Sequence, residues 1–323
     1  MVKFKAMKNR NLTLIALIVF SFCIIPSACS FWIWTPKTDK WVNPKYAVKP
    51  TPKEQFEYAL AMYNSAKYQE AREEFKRLIK FFPKALEAAE AQYYLGRCEE
   101  AQDNLYQAYL AYQKMIEVYP FSERIQEVIE KEYKIAEAFM QGKKRKAYGV
   151  ALPVENPAIE IFRKVVENST FGPLASSAQY KLGLVLKATG DYFRAQDEFE
   201  KVISNYPDSE WSAAAKFQIA SCKSMLARSP DYDQESAREA KEQFEEFIRE
   251  HPDAQLSKEA EENLKGLEEK EAQSNYEIGY FYEKQKVYES AKIYYNSVVN
   301  NFPYSTWAAK ATERISAMEK MKK

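Results

Sequence analysis

Residues 176–207 read SSAQYKLGLVLKATGDYFRAQDEFEKVISNYP. Tyr180, Leu182, Gly183 and Leu186 fall on one side of a first helix, and Ala195, Phe199 and Val202 recur at helical spacing on a second. Gly190 and Asp191 spell a turn between them. Pro207 closes the unit, because proline cannot continue a helix. Neither helix can bury its apolar stripe alone, so the pair needs a neighbour on each side.

The same register can be laid over the rest of the chain. The small residue of the first helix recurs as Ala59, Gly96, Ala136, Gly183, Ala220 and Gly279. The alanine of the second recurs as Ala71, Ala108, Ala158, Ala195, Ala240 and Ala291. The aromatic four residues later is Phe75, Tyr112, Phe162, Phe199, Phe244 and Tyr295. Pro83, Pro120, Pro207, Pro252 and Pro303 close five copies, while the third has its proline displaced to Pro173. With a period of about 34 residues, this pattern resembles the tetratricopeptide repeat. The resemblance implies an all-α solenoid of about six helix pairs, stacked right-handed and without a sheet.

Composition agrees with stacked amphipathic helices. The 323 residues include 8 glycines, 29% are charged and the formal net charge is +1. In a solenoid, length counts repeats rather than separate cores. A near-neutral chain with no sustained basic surface argues against nucleic acid as the main partner.

Residues 1–28 read as a lipoprotein signal peptide. Lys3, Lys5, Lys8 and Arg10 precede an apolar run from Leu12 to Ile25, too short for the roughly 20 residues of a spanning helix. The sequence Ile25-Pro26-Ser27-Ala28-Cys29 resembles a bacterial lipoprotein cleavage site, with Pro26 where the pattern has an aliphatic residue. The resemblance implies that Cys29 becomes the acylated (palmitate-bearing) first residue. Ser30 at the second position, where no Asp stands, implies sorting to the outer membrane. Residues 29–51 read as an extended tether, with Pro36, Pro44, Pro50 and Pro52 keeping it open. Phe31, Trp32, Trp34 and Trp41 in it suit either the headgroup level of a bilayer or packing on the first repeat.

Repeats one to four then occupy residues 52–207, and residues 208–323 hold repeats five and six with a capping helix. An insertion from Gly142 to Asn156 splits the third pair and carries Lys143, Lys144, Arg145 and Lys146. These suit an acidic partner, lipid phosphate or simply a solvated loop. The charged stretch Leu256–Ala272 lacks proline and is expected to run into the next helix, making one of about 30 residues, near 45 Å at 1.5 Å per residue.

Catalytic chemistry is not legible. His251 is the one histidine, no CxxC occurs and no glycine-rich phosphate loop is present. The chain therefore reads as a non-enzyme, with no cofactor and no metal expected. Cys98 and Cys222 share a register three repeats apart. At roughly 8–10 Å per helix layer they are too distant for a disulfide, so both are expected to be buried thiols.

Three residues before each small position stands an aromatic: Phe56, Tyr93, Tyr133, Tyr180, Phe217 and Tyr276. This ladder is either core or part of a groove for an extended peptide. As a partner-binding groove it would use Phe56, Tyr63, Tyr93, Arg97 and Tyr133, since aromatics and Arg concentrate binding energy.

Lipoprotein signal, tether and repeats together resemble the outer-membrane β-barrel assembly lipoprotein, the BamD type. The resemblance is most specific from Gln234 to Pro303, through QESAREAKEQFEEFIREHPDAQLSKEAEENL and YEIGYFYEKQKVYESAKIYYNSVVNNFP. That family has five repeats and this chain six. The resemblance implies a scaffold, lipid-anchored on the periplasmic face of the outer membrane, that binds unfolded barrel clients and the other subunits of the assembly machinery. The alternative is an unacylated periplasmic repeat protein coordinating cell envelope and division.

Overall fold

The computed structural model describes residues 33–35, 40–42, 47–147, 150–151, 155–227, 234–252 and 255–321. The signal at 1–28, the acylation residue Cys29 and the loop Arg228–Asp233 lie outside the described residues.

Thirteen α-helices stand among the described residues, as six pairs and a last helix. They are α1 (Pro52–Asn64) with α2 (Tyr68–Phe81), α3 (Leu86–Ala101) with α4 (Leu105–Val118), and α5 (Ile125–Met140) with α6 (Pro157–Asn168). Then come α7 (Ala175–Ala188) with α8 (Tyr192–Asn205), α9 (Trp211–Leu226) with α10 (Gln234–Glu250), α11 (Gln255–Lys284) with α12 (Tyr288–Asn301), and α13 (Thr306–Met321). The chain is an all-α tetratricopeptide-type solenoid in class.

Local chemistry sets the helix ends. Thr51 caps α1 by accepting from the Glu54 amide at 3.2 Å, with Pro52 in the first turn. Asn156 caps α6 through the Ala158 amide at 3.0 Å, again followed by proline. Asp191 caps α8 through the Arg194 amide at 3.1 Å. The turn inside the pairs uses a left-handed residue: Ala66, Asp103, Gly190 and Lys286 have φ of 58, 58, 83 and 62°.

The chain divides into two compact units, residues 1–88 and 89–323. In the first, α1 packs on α2, and Ala59, Ala71, Phe75 and Leu78 are fully buried. Where the sequence reads as an extended tether, β1 (Ile33–Thr35) pairs antiparallel with β2 (Lys40–Val42). Trp34 lies opposite Trp41, their ring centroids 5.8 Å apart and edge-on. A directly opposed aromatic pair stabilises such a ribbon, which the proline pattern had hidden.

In the second unit each helix from α4 onward packs on the next. One core runs from Tyr93 to Cys222, a second from Phe217 to Leu267, and a third from Ala272 to Met318. The helix expected to be continuous is one element of 30 residues, Gln255–Lys284. Its first part supplies Ala260 and Leu267 to the second core, and its last part packs on α12 and α13. The insertion holds a second ribbon, β3 (Lys146–Ala147) with β4 (Val150–Ala151), which leaves the all-α class unchanged. Cys98 and Cys222 are both buried thiols.

The small residue of the first helix has a visible cause. A Cβ built on Gly96 would lie 2.2 Å from Cε1 of Tyr112, and one on Gly183 2.6 Å from Cε1 of Phe199. The second-helix aromatic therefore lies directly across the first helix, and only hydrogen fits beneath it there.

Candidate partner-binding face

The aromatic ladder packs the same way in every pair. Phe56 meets Phe75 at 5.8 Å, Tyr93 meets Tyr112 at 6.2 Å, and Tyr133 meets Phe162 at 5.6 Å. Tyr180 meets Phe199 at 5.5 Å, Phe217 meets Phe244 at 5.8 Å, and Tyr276 meets Tyr295 at 5.3 Å. Each first-helix ring thus lies on the second-helix ring of its own pair. Tyr93 is 2% and Tyr133 9% exposed, so their ring faces belong to the core.

The hydroxyls do a different job, joining one repeat to the next. Tyr93 donates to the Glu127 carboxylate in α5, and Arg97 donates to the Tyr93 oxygen at 2.9 Å. Burial and the Glu127 carboxylate push the Tyr93 hydroxyl up to about 12, so it stays protonated. Tyr133 and Ser177 of α7 share a hydrogen bond of 2.6 Å. Gln218 of α9 donates to the Tyr180 oxygen at 3.4 Å.

Charged links run along the same register. Arg124, just before α5, grips both carboxylate oxygens of Glu90 at 2.8 Å and reaches Glu127 at 2.9 Å. Lys131 meets Glu100 at 3.3 Å, and Lys181 donates to Glu137. Lys187 donates to Gln218 and to Ser221, both at 2.7 Å. Burial holds the Lys187 ammonium below the usual lysine range. The face built on α3, α5, α7 and α9 is thus a lattice of partnered polar groups over a buried aromatic floor.

Of the groove residues in the second unit, the structure brings Tyr93 and Arg97 into contact. Arg97 keeps 36% of its side chain exposed, with its Nε 3.5 Å from Glu100. In the first unit Phe56 and Tyr63 are half-buried, and Tyr63 packs edge-on against Tyr68 at 5.4 Å.

Sequence reasoning missed the partners Glu90, Arg124 and Glu127. Their spacings of 34 residues, one repeat, were a usable signal. It also missed an open groove of about 520 Å³ between α10 and α11, lined by Arg238, Lys241, Glu242, Glu245 and Glu271. In the basic run of the insertion, Lys143 meets Asp103 at 2.7 Å and the Arg145 guanidinium lies 3.8 Å over the Tyr106 ring. His251 rests on Phe247 with centroids 5.0 Å apart. No group of metal-ligating side chains, and no helix long and apolar enough to cross a membrane, occurs among the described residues.

Solved structures similar to the chain include the C-terminal part of a repeat protein from Cytophaga hutchinsonii, at 17% identity and a TM-score of 0.36, covering 81% of this chain and 87% of that one. A tetratricopeptide-repeat protein from Parabacteroides merdae is 16% identical with a TM-score of 0.34, covering 82% and 97%. YrrB, described as having an unusual peptide-binding site, is 16% identical with a TM-score of 0.34, covering 64% and 90%. No curated protein matches the chain significantly. A tetratricopeptide-repeat family matches residues 57–123. The family described as YfiO, outer membrane lipoprotein, matches residues 156–322, more than half of the chain and all of the last four helix pairs but the first helix of one. The chain belongs to the YfiO outer membrane lipoprotein family.

Proposed function

We propose that this protein is a lipid-anchored scaffold of the β-barrel assembly machinery on the periplasmic face of the outer membrane. It holds unfolded barrel segments and partner subunits through its repeats, and it is tethered through an acylated Cys29. The observation that carries the reading is membership of an outer membrane lipoprotein family through residues 156–322. The signal-like residues 1–28 ending at Cys29 agree with it.

The repeats support a scaffold role because their polar face carries charged and hydrogen-bonding side chains at one-repeat intervals, with Arg97 still 36% exposed. Unpaired barrel strands are extended and alternate apolar and polar residues, so a site that takes many of them gains from regularly spaced polar groups. Client contact in the second unit falls to Arg97 and to the rims of Tyr93 and Tyr133. Phe56 and Tyr63 serve the first unit.

Two measurements test this together. Mass spectrometry of the mature N-terminus is expected to find acyl chains on Cys29. Crosslinking from Arg97, replaced by a photoreactive residue, is expected to capture barrel precursors and assembly subunits. An unacylated N-terminus together with crosslinks only to division or envelope-coordination proteins would overturn the reading in favour of the periplasmic alternative.

A further inference from the structure

The ribbon of β1 and β2 exposes apolar side chains in a way that burial against protein does not explain. Trp34 and Trp41 cover each other edge-on, yet they remain 42% and 63% exposed. Ile33, the residue before Trp34, is 45% exposed as well. Successive residues of a strand point to opposite sides, so the Trp34–Trp41 pair stands on one face of the ribbon and Ile33 on the other. A ribbon packed on protein through its tryptophans would cover that face, and here it stays open. An open tryptophan face suits a lipid surface, where the amphipathic ring sits at the headgroup level.

Charge and chain position point to the same medium. Residues 30–51 carry Lys37, Lys40, Lys45 and Lys49 against the single acid Asp39, a net of +3. The chain from Cys29 onward is net −3, because residues 1–28 hold four basic and no acidic residues and the whole chain is +1. The remainder from residue 52 is therefore −6, so the positive charge is gathered around the ribbon. Cys29 lies four residues before Ile33, at most about 14 Å of extended chain. Tryptophan favours the headgroup level of bilayers, and basic residues there are drawn to anionic lipid.

We propose that the Trp34–Trp41 ribbon is a second membrane-binding element, which inserts its tryptophans among the headgroups of an anionic bilayer surface. It keeps the first unit against the membrane independently of any acyl chain. The proposal rests on the outer-membrane placement of the preceding section, but its test does not require Cys29 to be acylated.

The test uses residues 29–323 carrying Cys29→Ser, made without lipid, and flotation with vesicles of phosphatidylethanolamine and phosphatidylglycerol. The protein is expected to float with the vesicles. Trp34→Ala with Trp41→Ala is expected to lower the partition coefficient at least tenfold with unchanged helical circular dichroism. Lipids brominated near the headgroup are expected to quench tryptophan fluorescence in the parent and much less in the double variant. Equal flotation of parent and double variant would overturn the proposal, as would no flotation of the parent. A parent dimer that dissociates in the variant, without vesicle binding, would assign the tryptophans to a second copy and also overturn it. Acylation of native Cys29 is read separately by mass spectrometry, so failure of either idea is recognisable.

Discussion

Glu132 stands in α5 at the register that Gln92 holds in α3, one residue before the ladder aromatic, and it lacks the amide nitrogen that Gln92 donates. Gln92 gives that nitrogen to the carbonyl of Ala111 at 2.8 Å. Gln55 does the same to the carbonyl of Glu74 at 3.1 Å, and Gln179 donates to the Glu198 carboxylate. All three partners lie nineteen residues on, just before the second-helix aromatic. In the third repeat that position is Ile161, before Phe162. Glu132 is fully buried, its Oε2 is 3.5 Å from the Asn168 amide, and its Oε1 has no hydrogen-bond partner among the described residues.

Burial pushes the Glu132 carboxyl up to about 8, opposed by the Asn168 hydrogen bond, with Glu117 raising it and Lys164 lowering it. A protonated carboxyl supplies the donor that glutamine supplies elsewhere. Because the folded value lies above the unfolded one, the native state binds more protons between pH 4.5 and about 8. This group's contribution is therefore complete at low pH and falls as pH rises to about 8, by on the order of 3–5 kcal/mol at 1.4 kcal/mol per unit. Glu132→Gln keeps a donor without the titration and is expected to stabilise by about 3–5 kcal/mol at pH 8 and by little at pH 4.5. Urea unfolding at the two pH values checks this, and an equal effect at both would show that the titration is absent.

Gly96 and Tyr112 form a second device, repeated at Gly279 and Tyr295. Tyr112 crosses Gly96 and donates to Glu100 at 2.7 Å, and Tyr295 crosses Gly279 and donates to Glu283 at 2.8 Å. Copies with alanine at the small position carry Phe75, Phe162 and Phe244 instead, with no hydroxyl to deliver. A methyl on Gly96 would fall 2.2 Å from the ring, whereas one on Gly279 would fall 3.0 Å away. Gly96→Ala is expected to cost about 1–3 kcal/mol through overpacking. Gly279→Ala is expected to lie within about 1 kcal/mol of neutral, since alanine's helix preference offsets a milder contact. Chemical denaturation of the two variants side by side reads the difference.

How much of this was legible follows from what each signal depends on. The small, alanine and aromatic registers were readable because each obeys a steric demand repeated six times. The continuous α11 was readable because nothing in Leu256–Ala272 stops a helix. The Trp34–Trp41 ribbon was not, since it has three residues a strand and is framed by prolines. Pairing at that scale depends on a contact between side chains rather than on a period. For the binding face, the sequence placed Tyr93 and Arg97 side by side but could not say which way the ring points. Facing Tyr112, it is core, and its hydroxyl alone turns toward the polar lattice.

Turn chemistry offers a third prediction. Gly190 at φ 83° is the expected residue for its turn, but Lys286 holds the corresponding place at 62°. A side chain there costs about 1–2 kcal/mol in backbone strain, partly offset by the extra freedom glycine has when unfolded. Lys286→Gly is therefore expected to stabilise by about 0.5–1 kcal/mol. A melting temperature that falls would mean the lysine side chain makes a contact worth more than the strain.

The last prediction separates structure from recognition at Tyr93 and Arg97. Tyr93 is buried against Tyr112 and linked to Glu127 in the next repeat, so Tyr93→Ala removes a ring and a tie between repeats. Large-to-small aromatic changes cost about 3–5 kcal/mol, and the loss should appear in the melting temperature. Tyr93→Phe keeps the ring and removes only the hydroxyl, leaving Glu127 with Arg124 and Arg97 with Glu100; about 1–2 kcal/mol is expected. Arg97 is different. Its contact with Glu100 is long at 3.5 Å and its side chain is 36% exposed, and exposed pairs contribute about 0–1 kcal/mol. Its 2.9 Å hydrogen bond to the Tyr93 oxygen is lost as well, so Arg97→Ala is expected to cost about 1 kcal/mol, far less than Tyr93→Ala. Its guanidinium can still offer a charge-assisted hydrogen bond to a client carboxylate. An extended barrel-strand peptide with a free C-terminus is expected to bind Arg97→Ala about tenfold more weakly than the parent by calorimetry. The same peptide with an amidated C-terminus should bind parent and variant alike, because the charge Arg97 recognises is gone. If Arg97→Ala weakens both peptides equally, the carboxylate role is wrong; if it weakens neither while Tyr93→Phe does, recognition belongs to the tyrosine rim instead.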